Sequence, residues 1–215
     1  MIIINQDRLN TYTEVAMSTL NRNRKMFMIF LPLIVLAVLI GYMYYDLNFT
    51  MVKYVDIKSD KIHGDDELKI LQISDFHNSK SVRIRNKLLT AVKDLKPDVI
   101  VLTGDIIDSS TRNLDNVNRL LEEIVEINPN IYFVSGNHEW RSGYNIRFTK
   151  ELRSRGITVL NNTNSLIKIG ETFINLCGID DYYTRSYSLD SAFNKVDGRR
   201  FTILLSHAPD IIFKN

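Results

Sequence analysis

The chain has 215 residues, of which 45% are hydrophobic and 24% charged, with a formal net charge of +2, a composition that suits one globular domain plus an additional apolar element. The charge excess belongs to the first 25 residues, where Arg8, Arg22, Arg24 and Lys25 face only Asp7 and Glu14. The remainder is balanced, which excludes the clustered basic face of a nucleic-acid surface, and the single cysteine, Cys177, excludes an intramolecular disulfide.

The apolar element is Met26 to Tyr45, 20 residues without a charge, enough at about 1.5 Å per residue to cross a hydrocarbon core of about 30 Å. Arg22, Arg24 and Lys25 precede it and no base follows until Lys53, so the positive-inside rule places the N-terminus in the cytoplasm and the rest outside. A cleaved secretory signal is the competing reading. The apolar run exceeds a usual signal core and no Ala-X-Ala-like site follows Gly41, which favours an uncleaved anchor. Tyr42, Tyr44 and Tyr45 sit where an interfacial belt would lie.

Beyond the span, Met51 to Lys58 reads as a strand with imperfect alternation, and Ser59 to Glu67, containing His63 and Gly64, as a polar turn. His63 reads as a solvated side chain. The next strand, from Leu68, ends in Ile70-Leu-Gln-Ile-Ser-Asp-Phe-His77. In extended backbone, residues two apart point to one side, so Asp75 and His77 leave the strand end together as a pincer for a cation.

Ile84, Leu88, Val92 and Leu95 then fall at helical spacing over Val82 to Leu95, stopped by Pro97. A second strand, Val99-Ile-Val-Leu-Thr-Gly-Asp105, closes on a carboxylate, and a second helix covers Leu114 to Ile127. A third strand, Ile131-Tyr-Phe-Val-Ser-Gly-Asn-His138, closes on an amide and an imidazole. This alternation predicts parallel βαβ units. A short helix from Ile146 to Arg155, a strand at Ile157 to Leu160, a turn at Asn161 to Asn164 and strands at Ser165 to Ile169 and Thr172 to Ile179 follow. A helix over Leu189 to Lys195 then leads to the strand Arg200 to Leu205, which delivers His207. Parallel strands place their ligand-bearing loops at the carboxyl edge, so the four ends are expected to form one site. Two carboxylates converging there require a counter-cation.

Asp75-Phe76-His77, Gly104-Asp105, Gly136-Asn137-His138-Glu139 and Ser206-His207-Ala208-Pro209, with Asp75, Asp105, Asn137 and His207 separated by 30, 32 and 70 residues, resemble the motifs of the calcineurin-like metallophosphoesterases over Leu68 to Pro209. The resemblance implies a layered α-β-β-α sandwich and two divalent metal ions (Mn, Fe, Zn or Mg). Asp75 and His77 would hold one ion, Asp105 would bridge both, and Asn137 and His207 would hold the second. It implies His138 as the catalytic residue donating to the leaving-group oxygen, with Glu139 orienting it. The reaction implied is direct attack of activated water on a phosphomonoester, diester or pyrophosphate, without a Ser or Cys nucleophile. Gly104 and Gly136 precede ligands, where an absent Cβ permits a close approach or an unusual backbone angle. Asp108, Asp180 and Asp181 read as turn or cap residues, Tyr182, Tyr183 and Trp140 as rim residues, and Cys177 as a buried small hydrophobe.

The expected organisation is a cytoplasmic segment at 1–25, a single-pass anchor at 26–45, a connector at 46–67 and a phosphoesterase domain at 68–215. The family's Gly-His-X-His segment, with one histidine for each metal, does not follow His207. The expectation is therefore a domain cut before its last strands, each ion one ligand short. Two functions stand: a membrane-anchored hydrolase of a cell-envelope or lipid-linked phosphoester, and a tethered pseudoenzyme that binds metal or phosphate without turnover.

Overall fold

The computed structural model describes residues 6–48, 52–62 and 66–213. His63 and Gly64 lie outside the described residues. The chain divides into two compact units, Met1–Met51 and Val52–Asn215.

In the first unit, helix α1 runs from Gln6 to Asn48 with Pro32 inside it. Met17–Tyr44 is long and apolar enough to cross a membrane. The side chains from Met26 to Tyr44 lie on the outside of the helix, with none buried, as a lipid-facing span requires. The helical pattern satisfies the backbone polar groups internally except at the helix ends and at the carbonyl that Pro32 leaves without a donor, an interruption that membrane-spanning helices tolerate.

The second unit opens on two sheets. Strands β1 (Ile70–Ile73), β2 (Val99–Thr103), β3 (Ile131–Val134) and β4 (Thr158–Val159) form a parallel sheet in the order β1-β2-β3-β4. Helices α2 (Val82–Leu95) and α3 (Asp115–Ile127) make the first two crossovers. A short α4 (Asn137–Arg141) and α5 (Asn145–Ser154) make the third. Strands β5 (Thr163–Ile169), β6 (Thr172–Gly178) and β7 (Phe201–Leu205) form the second sheet, with β5 antiparallel and β7 parallel to β6. Helix α6 (Leu189–Ala192) precedes β7, and a 3-10 turn, Pro209–Phe213, follows it.

Alternation along β2 explains the layering. Ile100 and Leu102 pack with Leu120, Leu121 and Ile124 of α3 and Phe148 and Leu152 of α5. Val99 and Val101 pack with Ile174, Leu176 and Leu205 of the second sheet. The central strand is buried on both faces, as a continuous apolar run demands, and truncating one of the buried Ile or Leu side chains to Ala costs about 2–5 kcal/mol. Helix α2 starts at Ser81, whose hydroxyl accepts from Ile84 N at 3.3 Å, and ends at Lys96 in the left-handed conformation, one residue before Pro97.

Three expectations change. No strand forms over residues 52–58, where Tyr54 and Val55 are both apolar and both exposed, so neither face can be buried. The expected turn at Asn161 to Asn164 shrinks, because β5 already begins at Thr163, paired with Gly178. The strand expected from Leu68 begins at Ile70, paired with Val99.

Candidate metal centre

In-register parallel pairing brings the ends of β1, β2 and β3 level: Ile73 faces Leu102 and Leu102 faces Phe133. The turns beyond remain bonded to one another, with Asp75 N donating to Gly104 O at 3.2 Å and His77 N to Asp105 O at 2.9 Å. From the second sheet, His207 enters beside β2, its Nδ1 at 2.9 Å from Thr103 O.

These turns are tight. Asp75, His77 and Asp105 all have left-handed backbone, with φ of 56°, 50° and 52°. Asp, Asn and His adopt this region more readily than most residues, but it is a strained conformation that clusters at functional sites. Gly104 adopts φ 80°. A Cβ on it would meet Gly136 N at 2.6 Å, and one on Gly136 would meet Asp105 N at 2.7 Å. The two glycine turns therefore touch across the site, the close approach their positions suggest.

Asp105 is the common element. Asp105, His77 and His138 each offer a donor atom within 4.8 Å of the others, and so do Asp105, Asp75 and His207. The buried Asp105 carboxylate accepts from His138 N at 2.9 Å, and its Oδ2 lies 3.3 Å from His207 Nε2 and 3.9 Å from His138 Nε2. Burial works to raise this carboxyl, but the hydrogen bonds from His207 and His138 outweigh it and hold it below the usual carboxylate range. The same Asp105 carboxylate is the main cause that pushes His207 up to about 9, with burial opposing. His77 Nε2 lies 3.7 Å from Asp75 Oδ1, and the His77 and His138 rings meet edge to face with centroids 4.7 Å apart. Asp75 thus neighbours His77 directly and shares one three-donor group with His207, while His77 shares the other with His138.

Asn137 is buried as the first residue of α4. Its side-chain oxygen accepts from Arg141 Nη1 at 3.1 Å and from His138 N at 3.3 Å. His77 Nδ1 is buried and takes no hydrogen bond. That unpartnered nitrogen, with the mixed oxygen and nitrogen donors around Asp105, fits a divalent metal site.

The expectation that Glu139 orients His138 is not met. Glu139 is fully buried at the third position of α4 and turns back on the loops: Oε1 accepts from Ile106 N and Ile107 N at 2.8 and 3.1 Å, and Oε2 from Asp105 N and Gly136 N at 2.8 and 2.7 Å. Burial raises this carboxyl against the pull of those N–H groups. With two donors on each oxygen, no lone pair is left for a proton, and the ionised form is the one that fits. The His138 ring is instead fixed by Ser109 N, which donates to Nδ1 at 3.0 Å. In the neutral ring that bond leaves the proton on Nε2, on the side facing Asp105.

Asp108 is more than the turn residue its sequence position suggests. Its Oδ1 accepts from Ser110 N at 2.7 Å, the expected turn bond, while Oδ2 lies 3.2 Å from His138 Nδ1 and 3.7 Å from His77 Nδ1. Those Ser110 hydrogen bonds, helped by the two imidazoles, hold the Asp108 carboxyl low. The three-residue step from Asp105 within Gly104-Asp-Ile-Ile-Asp is the signal that could have marked it. Asp180 accepts from Trp140 Nε1 at 2.9 Å, and its carboxyl is raised by burial; Asp181 Oδ2 accepts from Thr184 N at 2.7 Å. Asp181 Oδ1 is buried without a hydrogen-bond partner, and neither residue belongs to the donor groups around Asp105. Cys177 is buried, its thiol pushed up by burial.

Two stacked sheets with helices on the parallel one, and acids, imidazoles and an amide delivered from strand ends onto one shared carboxylate, define an α/β protein with a candidate metal centre at its strand ends. The calcineurin-like phosphoesterase family matches residues 68–213, and the chain belongs to that family. An uncharacterised metallophosphoesterase of Aquifex aeolicus is 32% identical over 188 residues, 82% of this chain and 69% of that protein. The Bacillus subtilis metallophosphoesterase YkoQ is 29% identical, with 72% of this chain and 58% of that protein covered. A Danio rerio transmembrane protein with a metallophosphoesterase domain is 30% identical over 66% of this chain and 35% of its own length. The chain thus spans about a third to two thirds of these relatives. Among solved structures, Haemophilus influenzae NAD nucleotidase superposes with a TM-score of 0.50 at 18% identity, covering 68% of this chain and 35% of that one, a likeness of fold.

Proposed function

We propose that the protein is a membrane-anchored, two-metal phosphoester hydrolase, with Asp75, His77, Asp105, Asn137 and His207 as metal ligands and His138 as the catalytic residue. The observation that carries this reading is the position of Asp105, common to two three-donor groups. Two divalent ions, when bound, supply positive charge that activates water near neutral pH and neutralises phosphate oxygens during in-line attack.

The chain's own residues supply the rest. Asp105, gripped at its backbone N–H by Glu139 and at its carboxylate by His138 N, is a fixed bridging group. His138, held at Nδ1 by Ser109 N, presents Nε2–H as a hydrogen-bond donor that steadies the charge developing on the departing oxygen. Asn137 and His207 bring an amide oxygen and an imidazole from a helix start and a strand end of different sheets. The substrate is a phosphomonoester, diester or pyrophosphate, and the span of α1 holds the domain close to a bilayer, which favours lipid-linked or cell-envelope substrates. Arg22, Arg24 and Lys25 before the span orient the N-terminus to the cytoplasm and the domain to the outside.

The test is steady-state hydrolysis of bis(4-nitrophenyl) phosphate by the detergent-solubilised chain with Mn²⁺, beside the Asp105→Asn variant. Turnover abolished by the substitution supports the hydrolase. Metal binding without turnover in the unsubstituted chain refutes it in favour of a tethered pseudoenzyme. Protease accessibility on intact cells tests topology, and a domain shielded until the bilayer is opened overturns the orientation.

A further inference from the structure

A recess of about 830 Å³ opens on the loop that follows β6, lined by Tyr182, Tyr183, Arg185, Tyr187, Leu189 and Asp190 among others. Its size is that of a small-molecule site. Two hydrogen bonds tie this loop to the segments that follow the metal-centre motifs. Trp140, two residues after His138, donates from Nε1 to Asp180 Oδ1 at 2.9 Å, and Asp180 begins the loop. Tyr183 OH donates at 2.5 Å to Asp210 Oδ2, three residues after His207. The loop is also held in shape from within. Asp181 Oδ2 accepts from Thr184 N at 2.7 Å, its carbonyl accepts from Ser186 N at 3.2 Å, and Arg185 N donates to Tyr182 O at 3.1 Å.

The lining selects a chemistry. A second anion site does not fit, because among the described lining residues the one base, Arg185, is offset in charge by Asp190. An acyl chain does not fit either, because Leu189 is the only aliphatic side chain among the described lining residues. What remains is aromatic surface with a hydrogen-bonding fringe. The Tyr182 and Tyr187 rings lie 5.2 Å apart at a tilt of 32°, and Tyr183 meets Tyr182 edge to face at 5.6 Å. The 5.2 Å spacing leaves no slot between Tyr182 and Tyr187, so a ligand ring stacks on the exposed ring of Tyr183, with Arg185 and Asp190 in the same lining to meet its polar groups.

We propose that this tyrosine-lined loop is a specificity site that takes a hydrogen-bonding ring of the substrate with a face that stacks on tyrosine, a nucleobase or a sugar, attached to the phosphate held at the metal centre. The proposal rests on the hydrolase reading for the position of that phosphate and deepens it by naming the group beside it.

The test measures equilibrium binding to the full chain in detergent with Mn²⁺, using uridine 5′-monophosphate, glucose 1-phosphate and inorganic phosphate as probes. One ring-bearing probe binds about tenfold more tightly than phosphate, and which of the two does so distinguishes base from sugar. Arg185→Ala and Tyr183→Ala each remove most of that excess and leave phosphate binding unchanged, while Tyr183→Phe, which keeps the ring, retains it. Equal binding of all three probes, or an excess untouched by Arg185→Ala and Tyr183→Ala, overturns the site. Hydrolysis of bis(4-nitrophenyl) phosphate is followed in parallel, so lost ring selectivity with turnover intact condemns the loop proposal alone. Ring selectivity without turnover condemns the hydrolase reading instead.

Discussion

Glu139 Oε2 accepts a hydrogen bond from Asp105 N at 2.8 Å, so the residue beside His138 in sequence supports, in space, the carboxylate common to both donor groups. The same carboxylate receives Ile106, Ile107 and Gly136 N–H groups, which joins the β2 and β3 turns through one buried anion.

Glu139→Gln therefore destabilises the domain. An amide can present an oxygen to two of the four donors, but its NH₂ group faces the other two, leaving buried N–H groups unpaired at about 1–3 kcal/mol each. Thermal unfolding should show a clear loss of stability, and an unchanged midpoint would refute the clamp.

Asp105→Asn and Asp75→Asn separate a shared ligand from a single-ion ligand. Metal content measured by elemental mass spectrometry should fall to near zero in the first variant and by about half in the second, as two-ion sites with one common carboxylate require. Equal losses in both would remove Asp105 from its shared position.

Gly136→Ala places a Cβ 2.7 Å from Asp105 N, against backbone that the Glu139 clamp keeps from yielding. The variant should lose metal affinity by about tenfold or more, in line with disturbed support around a metal centre. Titration with Mn²⁺ that gives the parental affinity would show that the turns can part.

His138→Asn tests the division between catalysis and ligation. Retained metal content with turnover lowered about 10²–10⁴-fold is the expected result. Loss of one ion would instead make His138 a ligand, in keeping with its proximity to His77 and Asp105.

Acid stability should carry a signature from Asp197, whose carboxyl is held down at about 2 by hydrogen bonds from Arg199. A carboxyl with a folded value below its ordinary value near 3.8 stabilises the fold fully above that ordinary value, and the contribution disappears as the pH falls through about 2. Titration followed by NMR should find this low midpoint in the parent and a normal one after Arg199→Ala. A normal midpoint in the parent would contradict the pairing.

Much of this arrangement was legible in the sequence because period and punctuation agreed. Ile84, Leu88, Val92 and Leu95 mark one face of α2, and Pro97 closes it, so the helix bounds coincide with the expected Val82 to Leu95. The strand ends were legible because an apolar run that stops abruptly on Asp or His carries an ionisable group to the sheet edge, where it needs a partner of opposite charge. Helix α4 was not legible, since five residues cannot display a 3.6-residue period, and without α4 the backward reach of Glu139 was invisible. Asp108 is the turn residue its position suggests through Oδ1, but the second oxygen faces histidines supplied by two other segments. Of the strand expected at Met51 to Lys58, the described residues 52–58 form none, because Val52, Tyr54, Val55 and Ile57 all stay exposed and no face is covered.

The left-handed backbone at Asp75, His77 and Asp105 sets a ceiling on heat tolerance. Each such position withholds about 1–3 kcal/mol from the fold, and glycine at any of them would return part of it while deleting a donor. Selection for thermal hardiness alone would thus erode this centre first, and variants that survive heating best should be screened for what they no longer bind.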